Sequence, residues 1–204
     1  MSKKLPNQPF KTTVVPPRSS ENENGSLPKN FFSQPTCRVD VQSRTIYIHG
    51  EIEETLAAEV AEKIDILDEG KSPIYVEINS CGGDAYAGVS VCSKLMSAEC
   101  PVHVDVSGVA MSAAAWIALC GDHIRMSKYG IMMLHFPRWA TPEGTNVYEH
   151  KLDAAVTEEM FDRLFKDLLK DSKLTFQKYK KESKEDFYIT PTEALKYGLI
   201  HEIY

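Results

Sequence analysis

An α/β fold on a largely parallel sheet is predicted by three observations. Short alternating apolar runs recur between helical stretches, in the strand–helix–strand–helix order that builds βαβ units. Small residues follow those strands where ordinary loops would be polar: Cys81-Gly82-Gly83-Asp84 after PIYVEINS, and Gly108 to Ala115 after VHVDV. A long amphipathic helix then stands outside the series.

In chain order, residues 1 to about 35 are rich in Pro, Asn, Ser and Lys, with SSENENGS in the middle. Such a composition cannot bury enough apolar surface to offset chain entropy, so a flexible N-terminal arm is expected before a single domain over 36–204. CRVDV and TIYIHG, separated by QSR, read as a β-hairpin. Leu56, Val60, Ile64 and Leu67 recur at helical spacing, with Gly70 as the expected C-cap. PIYVEINS is a strand running into a glycine turn, and a helix carrying Tyr86, Val89 and Leu95 ends before Pro101. Val102, Val104 and Val106 alternate with polar residues as a half-buried strand. Ala113 to Leu119 reads as a buried helix, with Gly121 as its stop. GIMMLHFP is an apolar strand interrupted by His135 and closed by Pro137. After a polar link, Leu152, Val156, Met160, Leu164, Phe165, Leu168 and Leu169 form a stripe on a helix from about Tyr148 to Ser172, with Asn146 and Glu149 as its capping pair. That stripe is either intrachain core or a surface for another subunit. PTEALKYGLI is a short helix ended by Gly198.

Composition excludes some classes. The chain has 204 residues, 43% of them hydrophobic, and a net charge of −6, which argues against non-specific nucleic-acid binding. No apolar run is long enough for a membrane span, and no apolar stretch follows Lys3 and Lys4 to make a signal peptide. Five cysteines without a C-x-x-C pair suit reduced thiols in a cytoplasmic protein and supply no structural zinc site. No metal or cofactor is expected.

The chemistry-bearing residues follow from the strand ends, where functional groups collect in parallel sheets. Ser112 sits at a strand-to-helix turn. There the first N–H groups of a helix are unpaired and the dipole favours negative charge, which suits a nucleophile and a developing oxyanion. The alternative is a plain N-cap serine. Gly83 ends the preceding strand, in what is otherwise a tight turn. His135 ends the next one, as a general base or as a core histidine. A carboxylate to orient the imidazole is available at Glu185 or Asp186, just before the apolar run FYI, unless both are surface acids.

INSCGGD, GVAMSAAA, IMMLHFP and DFYITPTEALKYGLI, in this order and spacing, resemble the Clp protease proteolytic subunits, a family of serine peptidases related in fold to crotonases. The resemblance spans about Thr45 to Tyr204. It implies a crotonase-like α/β fold of repeated β-β-α and βαβ units with a protruding handle helix, in a region of about 138–172. It implies Ser112 as nucleophile, His135 as base, Asp186 as third member, and the Gly83 and Ala113 N–H groups as oxyanion donors. It further implies seven-subunit rings stacked as a tetradecamer, an ATP-driven AAA+ unfoldase as partner and unfolded polypeptides as substrates, with polar changes at Leu164 and Leu168 breaking the double ring. Cys81 stands where the family usually has proline, RWATPEGT replaces a glycine-rich stretch after the histidine's strand, and the CRVDV hairpin replaces a first helix. These place the chain nearer the divergent, phage-type members. A phage-type processing protease acting on capsid or scaffold proteins is the alternative. A non-catalytic ring subunit ranks below it, since Ser, His and Asp are all present. A crotonase-type acyl-CoA enzyme has no need of that set.

Overall fold

A computed structural model describes residues 36–138 and 146–204. The expected N-terminal arm, and residues 139–145 of the polar link expected over 138–148, lie outside the described residues, while the helix after the link already begins at Val147. The elements in order are β1 (Thr36–Asp40), β2 (Thr45–Ile52), α1 (Glu54–Leu67), β3 (Ile74–Gly83), α2 (Ala85–Met96), β4 (Val102–Met111) and α3 (Ala113–Ala118). They continue as β5 (His123–Met126), β6 (Ile131–Leu134), α4 (Val147–Leu168), α5 (Phe176–Glu182), β7 (Phe187–Ile189), α6 (Pro191–Tyr197) and β8 (Glu202–Ile203). The strands form one sheet in the order β1-β2-β3-β4-β5-β8, with β6 joined to β4 and β7 joined to β6.

The β1–β2 hairpin is antiparallel, with Asp40 paired to Thr45, while β2, β3, β4 and β5 run parallel. β4 is long enough to serve two partners in series. Its first half pairs with β5 and its last residues, Val109 to Met111, pair with β6. Apolar residues of α1, α2 and α3 close over the sheet with Val60, Ile64, Val91 and Ile117 wholly buried. Each such side chain is worth roughly 1.5–3 kcal/mol of burial.

Several local expectations are corrected. α1 is capped at Asp68, not Gly70, which lies in the following turn at φ 89°. α3 ends at Leu119 rather than Gly121; Gly121 instead has no room for a side chain, since a Cβ would lie 2.6 Å from Val104 Cγ2. β3 does not stop at a glycine turn but continues through Gly83, after which the Asp84 carboxylate accepts the Ala87 N–H at 2.7 Å and starts α2. α5 and β7 were not anticipated: the Lys- and Glu-rich α5 is too polar to show a periodicity, and the apolar run FYI that forms β7 is only three residues long, too short to show an alternation.

The α4 stripe is also redrawn. The helix ends at Leu168, and its buried line is Thr157, Phe161 and Phe165, continued by Leu169 in the turn that follows. Trp116 packs against Phe161 and Phe165 with ring centroids 5.1 and 5.8 Å away, and Phe165 stacks on Tyr179 at 4.0 Å. Leu164 and Leu168 lean on this core, whereas Leu152 and Val156 stay 65% and 60% exposed. Asn146 accepts the Tyr148 N–H at 3.0 Å; the Glu149 side chain of the expected capping pair lies outside what the structure describes.

Candidate active site

Two bulges bring the site's backbone together. The β3–β4 register shifts from Ile78↔Val106 to Ser80↔Ala110, so β4 carries two extra residues. Asn79 fills the bulge, its Oδ1 accepting the Val109 N–H at 3.1 Å, and a Cβ on Gly108 would lie 2.5 Å from that oxygen. The shift sets Ser112 alongside Gly82. A Cβ there would be 2.6 Å from the Met111 carbonyl oxygen, 2.7 Å from Ser112 Cβ and 3.2 Å from Ala113 N. A second irregularity between β2 and β3 is braced by buried Ser80, whose hydroxyl donates to Gly50 O at 2.5 Å and accepts from Gly82 N at 3.0 Å. Gly83 lies against Ile52 so closely that a Cβ would fall 2.2 Å from its carbonyl oxygen. An open cleft of about 630 Å³ runs past Gly83, lined also by Glu51, Asn79, Cys81 and Val109.

Ser112 follows β4 in a strained conformation, φ 54° and ψ −127°. Its N–H donates to Met133 O at 2.9 Å and its carbonyl accepts from Ala115 and Trp116, so the strand and helix ends over-determine it. Strain of this kind costs about 1–3 kcal/mol and persists where packing enforces it. Its side chain makes no capping bond, which removes the plain N-cap reading. Ala113 opens α3, where an N–H has no intrahelical acceptor. The helix fits tightly here because α2 presents Gly88, whose absent Cβ would meet Ala113 Cβ at 2.8 Å.

The hydroxyl turns instead to His135. The Nε2 and Oγ atoms are 2.7 Å apart. His135 leaves β6 beside β4 and is only 12% exposed. Burial, and secondarily the Arg138 guanidinium, push the imidazole below its ordinary pKa, while Asp186 opposes them. The neutral, proton-accepting form therefore extends below the usual range. Asp186 arrives through β7, which pairs antiparallel with β6 so that Phe187 faces Leu134 and the residues just beyond face each other. Its Oδ1 lies 3.9 Å from His135 Nδ1, and that nitrogen is buried with no hydrogen-bond partner among the described residues. The same Oδ1 accepts a hydrogen bond from Arg138 at 2.6 Å. Arg138 was not singled out from the sequence as a site residue. The signal was there, in the RWATPEGT stretch that departs from the family pattern.

A hydroxyl paired with an imidazole on a strand–turn–helix corner is the arrangement of serine hydrolases on α/β sheets. The family profile described as Clp protease matches residues 34–204. The chain belongs to the Clp protease family. Among its curated relatives is the ATP-dependent Clp protease proteolytic subunit of Streptococcus mutans, 28% identical over 167 residues, covering 80% of this chain and 85% of that one. The counterpart from Streptococcus pyogenes is 27% identical over the same coverage. A mutant of ClpP1 from Listeria monocytogenes superposes with a TM-score of 0.69 at 24% identity, over 80% of this chain and 92% of that one. That likeness carries the crotonase-like α/β fold. This Clp protease is a serine endopeptidase, and the processing-protease and non-catalytic readings are not favoured.

In this Clp protease, Gly82→Ala is expected to destabilise the fold by roughly 1–3 kcal/mol through overpacking. It is also expected to lower kcat on the order of 10²-fold by displacing Ser112. Thermal unfolding with initial rates checks both; an alanine variant with parental rates would show that the strand contact does not position the hydroxyl.

Proposed function

We propose that Ser112, His135 and Asp186 act as the catalytic triad of a peptidase that cleaves unfolded polypeptides. The observation that carries this reading is the 2.7 Å contact between the Ser112 hydroxyl, held in a strained corner, and His135 Nε2. Ser112 Oγ attacks the scissile carbonyl as its proton passes to Nε2. The oxyanion is received by the N–H groups of Gly83 and Ala113, each donor worth about 3 kcal/mol. Collapse expels the amine, which takes the proton from the imidazolium. Water then attacks the acyl-enzyme by the reverse proton path, and Asp186 holds the ring and offsets the imidazolium charge. Labelling with a fluorophosphonate probe, followed by peptide mapping, tests the assignment: the adduct is expected on Ser112, and an adduct elsewhere, or none, rejects it.

The same reading extends to assembly. Tyr148, Leu152 and Val156 stand at four-residue intervals along the first half of α4, exposed and apolar. We propose that this half is the handle through which two homo-oligomeric rings, of seven subunits each, interlock. A permissive site needs a chamber that admits only unfolded chains, and an ATP-driven unfoldase would supply them, as the relatives' name "ATP-dependent" suggests. Among the described residues no helix is long and apolar enough to cross a membrane, and a cytoplasmic location is part of the proposal. Leu164 and Leu168, packed on their own subunit's core, are poor probes of the interface. Leu152→Ser with Val156→Ser is expected to change subunit stability by no more than about 0.5 kcal/mol per site while splitting the double ring. Sedimentation velocity decides this; an unchanged sedimentation coefficient would remove α4 from the interface.

A further inference from the structure

Asp186 has two suitors and satisfies one. Its Oδ1 accepts from the Arg138 guanidinium at 2.6 Å and stands 3.9 Å from His135 Nδ1, which has no other partner among the described residues. A hydrogen bond to the imidazole requires that gap to close by about 1 Å. Arg138 cannot drift far, because the segment before it is pinned. The Phe136 N–H donates to Ser183 O at 3.0 Å, its ring lies 5.5 Å from that of Tyr179, and Pro137 stiffens the link. The guanidinium itself is 66% exposed, so it can leave Asp186 for solvent or for an anion without unfolding anything.

We propose that Arg138 is a positioning residue that competes with His135 for Asp186, holding the triad open at its third member until the guanidinium is displaced. This rests on the triad reading above. The latch is weak by construction, since an exposed ion pair gains little over solvation. The orienting carboxylate therefore partitions between two partners, and the fraction bound to His135 scales turnover. Among the described residues, the charged groups bearing on His135 are Arg138, on its own segment, and Asp186, ahead of β7; the element on its other side presents the Ser112 hydroxyl. Arg138 disfavours the imidazolium and Asp186 favours it. Removing Arg138 should therefore shift the acid limb of the pH profile upward, opposite in sign to removing Asp186.

The test uses the assembled full-length chain and a neutral fluorogenic peptide. Arg138→Gln is expected to raise kcat about twofold to fivefold with KM unchanged, and to move the acid limb of kcat/KM to higher pH. Arg138→Lys, which keeps the charge, should stay nearer the parent on both readouts. In an Asp186→Asn background the Arg138→Gln gain in kcat should vanish, since there is no carboxylate to release. A fall or no change in kcat for Arg138→Gln, or a gain that survives in the Asp186→Asn background, overturns the latch. Fluorophosphonate labelling of Ser112 in the parent separates this from the triad itself: with the label present, those outcomes remove only the latch, and with it absent, triad and latch fall together.

Discussion

Ser112→Ala will leave the chain folded and assembled but abolish peptide hydrolysis, with a loss on the order of 10⁵- to 10⁶-fold. The size of the effect follows from covalent catalysis. Without the hydroxyl no acyl-enzyme forms, and the oxyanion donors proposed at Gly83 and Ala113 could assist only direct attack by water. Stability should move little, because the strained corner is held by backbone contacts to Met133, Ala115 and Trp116 rather than by the side chain. Peptidase assays on size-fractionated protein, with thermal unfolding as control, measure both quantities. An alanine variant that still turns over peptide at a tenth of the parental rate would end the assignment of Ser112 as nucleophile.

Asp186→Asn is the second large effect, expected to cut kcat/KM by up to about 10⁴-fold. Asparagine keeps the shape but loses the negative charge that stabilises the imidazolium, and its amide can hold the ring in the wrong tautomer. The pH profile supplies a sign as well as a size. Asp186 raises the pKa of His135 against burial and Arg138, so its loss should move the acid limb to lower pH while the plateau falls. A plateau within threefold of the parent would mean that Asp186 pairs with Arg138 alone and takes no part in catalysis.

The elements that carry the site were largely legible. Val102, Val104 and Val106 showed β4, and the alanine run showed α3. β4 shows a period because its alternate residues are buried, whereas α3 is buried on every side and is marked by an unbroken run of small and apolar residues. Helix ends were less legible: Gly70 and Gly121 looked like stops, yet Asp68 and Leu119 end the helices. The reason is that glycine also serves turns and close packing, and a sequence does not say which. Phe161 was missed from the buried line of α4, since Met160 and Leu164 fit a helical stripe equally well until Trp116 chooses between them.

By itself the sequence determined the alternation of elements, the buried faces and the residue types at three strand ends, because these depend on local periodicity and on side-chain chemistry. Only the tertiary structure decided which of those residues meet. The extra residues in the β4 bulge bring Ser112 level with Gly82, the junction of β4 with β6 puts His135 against the hydroxyl, and the antiparallel β7 sets Asp186 on Arg138 and 3.9 Å from the imidazole. Register and strand order are set by non-local pairing energies spread over many residues. A one-residue slip would send each side chain to the other face of the sheet, and no single stretch of the chain records which pairing wins.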